Sequence, residues 1–209
     1  MQLDVPVIAI LRGVEEGFFR ELMPTAFGAG LQGMEVTFNT PDADDIISRC
    51  CSDVPAGKLL GMGTIRNREE AKRAADAGAM FLVTPNLDLK VIEYCRMRDI
   101  PVIAGAMTPS EVYAAWSAGA AMVKVFPCRA LGGPQYIRDL RGPFEMIPLM
   151  AVGGVRMDNL AAYFEAGARA VGVGKSIFGD RAYAEKDLTE ICENVKKFLN
   201  CCHTVQDAV

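Results

Sequence analysis

Short apolar runs recur along this chain, and a helix-patterned segment follows each of them. The runs occupy residues 7–11, 33–38, 59–64, 81–85, 101–106, 122–127, 147–152 and 170–174. Each holds five or six residues, largely apolar and bounded by Gly, Pro or polar residues. That is the pattern of a short, fully buried strand. The helical segments carry their own punctuation. Gly30 stops the first, Pro41 with Asp42, Asp44 and Asp45 opens the second, and Asn67 and Asp158 stand at cap positions further on. One phrase repeats where helix gives way to strand: Ala29-Gly30-Leu31, Ala77-Gly78-Ala79, Ala118-Gly119-Ala120 and Ala166-Gly167-Ala168. A last helix is expected over about residues 183–199.

Eight strands alternating with eight helices imply parallel pairing, because each helix carries the chain back to the starting end of the sheet. Eight such units imply a closed (β/α)8 barrel, the TIM-barrel architecture of the α/β class. It is expected to form a single domain over residues 1–209. An open doubly wound sheet is the runner-up. No Pro/Ser-rich or charged run marks a boundary. The tail from about residue 200, with Cys201-Cys202-His203, is expected to be frayed.

Composition excludes several classes of function. A net charge of -4 argues against a general nucleic-acid binder, which needs a basic face. A local pocket can still be positive, so anionic substrates stay open. No apolar run reaches membrane-spanning length, and residues 1–6 lack the start of a secretory leader. Seven irregularly spaced cysteines read as reduced thiols in a cytoplasmic protein. The one histidine, His203, lies in the tail. Ser-His-Asp chemistry would have to use it, and a multi-histidine metal site is impossible. No metal or cofactor is expected.

Lys124 stands in the middle of the sixth run, Met122-Val123-Lys124-Val125-Phe126-Pro127. A buried ammonium is costly unless paired or neutralised. Desolvation lowers a lysine pKa, and the neutral amine attacks carbonyl carbon. In a barrel of this kind the reactive face lies at the carboxyl ends of the strands. The polar residues there are Arg12, Glu35, Thr37, Asn39, Thr64, Thr84 and Lys124. Glu35 can serve as the proton shuttle that a lysine nucleophile needs. The bland alternative is a buried ion pair, and such pairs are poor stabilisers. Two readings stay open for Arg12, an anion contact and a rim salt bridge. Gly153-Gly154 after strand seven and Gly174-Lys175-Ser176 after strand eight stand where such barrels form phosphate cups. Lys175 reads as a solvated loop lysine. Cys128 lies near these residues without a histidine partner.

Glu35-Val36-Thr37, Gly61-Met62-Gly63-Thr64, Val123-Lys124-Val125-Phe126-Pro127 and Gly153-Gly154-Val155 together resemble a known family. It is the 2-keto-3-deoxy-6-phosphogluconate (KDPG) and 4-hydroxy-2-oxoglutarate (KHG) aldolase family. The resemblance spans about residues 7–178. It implies a class I aldolase, a carbon–carbon lyase without metal or cofactor, homotrimeric and cytoplasmic. It implies a lysine Schiff base at Lys124 and proton transfer by Glu35. Arg12 and Thr64 would hold the substrate's carboxylate or other polar groups. Pro85 and Phe126 would shape a pyruvate pocket, and Gly153, Gly154, Gly174 and Ser176 would receive a phosphate. The implied substrate is KDPG, with 4-hydroxy-2-oxoglutarate a further one, cleaved to pyruvate plus D-glyceraldehyde 3-phosphate or glyoxylate. Two positions depart from many members: Asn39 replaces an arginine, and Val152 replaces a threonine before the double glycine. Both look more like the branch that cleaves 2-keto-3-deoxy-6-phosphogalactonate (KDPGal). Thr37, Pro41-Asp42-Ala43-Asp44 and Gly142-Pro143-Phe144 look like gluconate-type members. More distant alternatives are a phosphate-sugar isomerase or synthase on a similar barrel, or a non-catalytic phosphometabolite binder.

Overall fold

The computed structural model describes residues 3–206, with side chains placed through Cys202. Strands β1 (Val7–Leu11), β2 (Gly33–Thr37), β3 (Leu59–Gly63), β4 (Leu82–Val83), β5 (Val102–Ala106), β6 (Met122–Val125), β7 (Leu149–Val152) and β8 (Ala170–Val173) pair in chain order. All pairs are parallel, and β8 returns to β1 to close the barrel. Around it lie α1 (Glu16–Gly28), α2 (Ala43–Cys50), α3 (Arg68–Asp76), α4 (Leu89–Met97), α5 (Pro109–Ser117), α6 (Pro134–Arg141), α7 (Leu160–Glu165), α8 (Asp180–Glu185) and α9 (Leu188–Gln206). The runner-up open sheet is thereby excluded. The repeated Ala-Gly phrase is a helix exit: Gly30, Gly78, Gly119 and Gly167 take φ of +110, +94, +100 and +93°. These are left-handed values that a side chain disfavours.

Three local expectations need correction. Asp158 does not cap α7; it accepts two hydrogen bonds from Arg156 at 3.1 Å, and Asn159 precedes the helix. The single last helix is two, α8 and α9, broken where Lys186 turns left-handed at φ 55° and Asp187 accepts from the Glu190 N–H. Fraying does not begin at about residue 200, since α9 continues to Gln206; residues 207–209 lie outside the described residues. Ile191, Val195, Phe198, Leu199 and Cys202 are buried, and their helical spacing carries the apolar stripe past residue 200. The side chain of His203 lies outside the described residues.

Apolar packing divides into two compartments. The larger fills the space between barrel and helices. The smaller is the barrel lumen, where Ile8, Phe81, Val83, Ile103, Met122, Met150, Val152 and Ala170 meet, with Ile10, Leu59 and Phe126 against them. Side chains alternate along a strand. Met122 and Phe126 both belong to the lumen, so Lys124 between them points there too.

Glycines open this lumen for neighbouring groups. Gly105 pairs in register with Lys124. A Cβ at Gly105 would fall 2.5–2.7 Å from the backbone of Pro85 and Asn86. Thr84 locks that approach: its Oγ1 accepts from Gly105 N–H at 2.8 Å and donates to Asn86 O at 2.7 Å. The Pro85 loop therefore leans over β5 beside Lys124's strand. Backbone cannot yield to a methyl group as a flexible side chain can. Gly105→Ala should cost about 1–3 kcal/mol of stability by overpacking. Urea denaturation checks this, and an unchanged midpoint would contradict the packing described.

Candidate active site

Lys124 and Glu35 face one lumen from β6 and β2 and are 5% and 1% exposed. Burial lowers the lysine pKa, with the Arg12 charge adding to the effect and Glu35 opposing it. Burial raises the Glu35 pKa against the pull of Lys124 and Arg12. Both shifts favour the neutral forms, a free amine and a protonated acid. The Lys124 Nζ lies 4.9 Å from the centre of the Phe126 ring, which forms an apolar wall beside it. Among the described residues, Glu35 Oε2 is buried without a hydrogen-bond partner. A buried polar atom left open in this way calls for an explanation, and a catalytic role is one.

Gly63 makes room for that carboxyl. A Cβ there would stand 2.2 Å from Glu35 Oε1 and 2.6 Å from its Cδ. Any side chain at residue 63 would drive the Glu35 head away. The sequence reading assigned no role to Gly63, although a glycine within a strand does signal a close approach.

Arg12, Asn39 and Thr64 come together at the barrel rim. The Arg12 guanidinium donates to Asn39 Oδ1 at 3.0 Å and to Thr64 Oγ1 at 3.5 Å. Its rim contacts are thus polar and neutral rather than a salt bridge. Thr64 holds φ at +59°, rare for a β-branched residue and a form of strain found at ligand sites. The Gly13 N–H donates to Thr40 Oγ1 at 2.9 Å, and Thr40 pairs with Thr37 at 3.1 Å. These buried hydroxyls anchor the Arg12 loop.

The double glycine lies beside Phe126. A Cβ on Gly153 would be 3.5 Å from the Phe126 ring and from Pro127 Cα. Gly153 and Gly154 hold φ at +97 and +86°. Their carbonyls accept from Arg129 N–H at 3.0 Å and Asn159 Nδ2 at 2.9 Å. Among the described residues, their N–H groups have no acceptor. Val152, 4% exposed, belongs to the lumen cluster. Gly174 lines a cavity of about 340 Å³ with Ile10, Arg12 and Lys175. Ser176 is exposed on the 3-10 turn Lys175–Ile177, and no hydrogen bond joins it to the double glycine. Cys128 is buried with its thiol pushed up to about 11, chiefly by burial, so it is no nucleophile. Among the described residues, no helix is long and apolar enough to cross a membrane.

A buried lysine whose pKa is lowered, sharing the lumen of a (β/α)8 barrel with a buried carboxyl whose pKa is raised, is the equipment of a carbon–carbon lyase working through an imine. Comparison with known proteins agrees. Residues 3–194 match the KDPG and KHG aldolase family. The probable KDPGal aldolase of Rhizobium meliloti (strain 1021) is 35% identical over 84% of this chain and 83% of its own. The KDPGal aldolase of Escherichia coli (strain K12) is 31% identical over 94% and 96%, and the KDPG aldolase of Treponema pallidum (strain Nichols) 34% over 76% and 74%. The solved native KDPGal structure superposes with a TM-score of 0.87 at 30% identity, covering 97% of this chain and 98% of that one. The chain belongs to the KDPG and KHG aldolase family.

The raised Glu35 makes a stability prediction. Above its ordinary value of 4.5, the folded state keeps a proton that the unfolded chain has released. The group's contribution to stability is full below 4.5 and is lost as pH rises through the folded value. Glu35→Gln removes this dependence. Urea denaturation should show the variant gaining on the wild type as pH rises above 4.5. A constant difference would contradict a raised Glu35.

Proposed function

We propose that this chain cleaves a 2-keto-3-deoxy-6-phosphohexonate to pyruvate and D-glyceraldehyde 3-phosphate, with the gluconate isomer, KDPG, as its first substrate. The observation that carries the reading is the buried, neutral-leaning Lys124 with Glu35 beside it in the lumen. The amine of Lys124 adds to the C2 ketone to give a carbinolamine. Glu35 supplies the proton with which the hydroxyl leaves as water, and an iminium forms. A base, Glu35 acting now as carboxylate, takes the C4 hydroxyl proton, directly or through a water. The C3–C4 bond breaks, its electron pair moves to the iminium nitrogen, and the aldehyde departs. Protonation of the enamine at C3 and hydrolysis release pyruvate and restore Lys124.

Arg12, fixed by Asn39 and Thr64, holds the substrate carboxylate. Pro85 and Phe126 bound the pyruvate end. The open N–H groups at Gly153 and Gly154, with Gly174 and Ser176, receive the phosphate. A neighbour at 26% identity and TM-score 0.83, covering 92% of this chain and 93% of that one, is the Legionella pneumophila KDPG aldolase with pyruvate held as a covalent carbinolamine. 4-Hydroxy-2-oxoglutarate is a second substrate, yielding glyoxylate. No metal or cofactor enters the proposed chemistry.

A second reading takes the galactonate isomer as preferred. It is favoured by Val152 in the lumen, Asn39 on Arg12, and the two KDPGal aldolases among the relatives that span most of the chain. We also propose a cytoplasmic homotrimer. Seven unpaired cysteines suit a reducing compartment. Tyr113, stacked on Phe144, and the exposed Trp116 and Met146 offer an apolar surface for self-association. A further neighbour, at 29% identity and TM-score 0.90 over 99% of this chain and 75% of that one, is a cage designed by fusing symmetric oligomeric domains.

Borohydride reduction in the presence of pyruvate should add a stable mass at Lys124, and Lys124→Ala should abolish both adduct and cleavage. An adduct elsewhere, or full activity in the variant, would sink the mechanism. Glu35→Gln should lower kcat about 100-fold or more, the usual weight of a general acid–base group. Pyruvate release from the two isomers ranks the substrates, and a strong galactonate preference replaces the first reading with the second. Sedimentation equilibrium should give three times the 22.6 kDa chain mass.

A further inference from the structure

Arg129 lies outside every role assigned so far. It sits on the 3-10 turn Cys128–Leu131, two residues beyond Pro127 and four beyond the end of β6 at Val125. Its backbone N–H donates to Gly153 O at 3.0 Å. Its side chain crosses the next glycine: a Cβ at Gly154 would lie 2.6 Å from Arg129 Cβ, 2.8 Å from Cδ and 3.0 Å from Cγ. Gly154 thus accommodates the arginine stem as well as the loop's left-handed turn. The residue is exposed, and among the described residues its guanidinium has no hydrogen bond or ion pair. Two other arginines of the site loops are committed differently. Arg156 pairs with Asp158, and Arg12 is held by Asn39 and Thr64. An unpaired guanidinium therefore stands tethered to the loop whose N–H groups have no acceptor. Backbone amides bind an anion through partial charges, whereas a guanidinium adds a full charge and two parallel donors suited to phosphate oxygens.

We propose that Arg129 is a specificity-determining residue that closes over the substrate's phosphate at the double glycine, so that the enzyme favours phosphorylated over unphosphorylated keto acids. The inference rests on the aldolase reading above and adds to it a side-chain phosphate contact. The arginine is remote in role from imine chemistry. Its removal should weaken binding of the phosphorylated end and leave Lys124 able to react.

The experiment uses the full chain with Arg129→Ala and Arg129→Lys. Steady-state cleavage is measured on the phosphorylated acid and on the same acid without its phosphate. Binding of inorganic phosphate is measured by titration calorimetry. Arg129→Ala should raise KM for the phosphorylated acid about tenfold, the usual weight of one charge-assisted hydrogen bond. It should leave kcat and the unphosphorylated acid nearly unchanged and weaken inorganic phosphate to a similar degree. Arg129→Lys should fall between, since charge is kept and the fork is lost. Unaltered phosphate affinity and KM ratio in Arg129→Ala would overturn the inference. So would an equal loss on both acids, which marks a disturbed loop. Borohydride trapping of pyruvate reads the lysine chemistry separately. Its absence in the wild type would sink the aldolase reading, while the phosphate titration still decides the role of Arg129.

Discussion

An amine and a carboxyl buried together can exist as an ion pair or, with one proton moved, as two neutral groups. Coulomb attraction favours the pair and desolvation favours the neutral forms. In this barrel burial is the largest cause acting on Lys124 and on Glu35, and the two pKa values are displaced toward the neutral forms. The chemistry proposed for the site needs that arrangement. Attack on a ketone needs a free amine, and loss of the carbinolamine hydroxyl needs an acid. The same proton placed on the lysine would supply neither. The apolar walls that produce the shift, Phe126, Val152, Met150 and Met122, are part of the reactive site as much as the polar groups are.

Making room for buried polar groups sets the second constraint. Lumen positions hold large residues such as Phe81, Met122 and Met150, yet glycine recurs among them at residues 61, 63, 105 and 172. Each absent side chain is filled by something else. Gly61 takes the Phe81 ring, Gly63 the Glu35 carboxyl, Gly105 the Pro85 loop, and Gly172 the ends of Met150 and Val152. A glycine inside a strand costs roughly 0.5–1 kcal/mol relative to alanine. That cost is accepted where a neighbour needs the volume, and three of the four neighbours, the Glu35 carboxyl, the Pro85 loop and the Met150 and Val152 ends, line the candidate site.

Much of this was legible in the sequence. Strand period, helix exits at Ala-Gly and the count of eight units led to a closed barrel, and the apolar run around Lys124 marked it as a buried amine. These are local patterns. What stayed hidden depends on distant residues meeting. Arg12, Asn39 and Thr64 are separated by up to 52 positions, and their hydrogen bonds exist only because β1, β2 and β3 are neighbours. The Gly63–Glu35 fit arises across a strand pair in the same way. The tail was misread because polar and cysteine-rich residues past 199 look like a fraying end. Only the continued spacing of Phe198, Leu199 and Cys202 shows that α9 remains seated on the barrel. The double glycine was visible as a motif, but the arginine lying across it was not, since an exposed arginine carries no pattern.

Selectivity between sugar-acid isomers follows from which lumen residues can form hydrogen bonds. The gluconate and galactonate isomers differ at one hydroxyl-bearing carbon. A polar partner left unsatisfied by the wrong isomer rejects it by roughly 10⁴ or more, whereas an apolar wall discriminates by shape, at about 10–200-fold. Val152 is buried among lumen hydrophobes, against Gly172, and its side chain can form no hydrogen bond. Asn39 is engaged with Arg12. With a hydrocarbon wall at one and a committed amide at the other, neither position supplies the strong kind of rejection. In the proposed binding mode, preference between the isomers therefore rests on shape at Val152. In the same proposed binding mode, recognition energy is concentrated at the two charged ends of the substrate, the carboxylate at Arg12 and the phosphate at the double glycine.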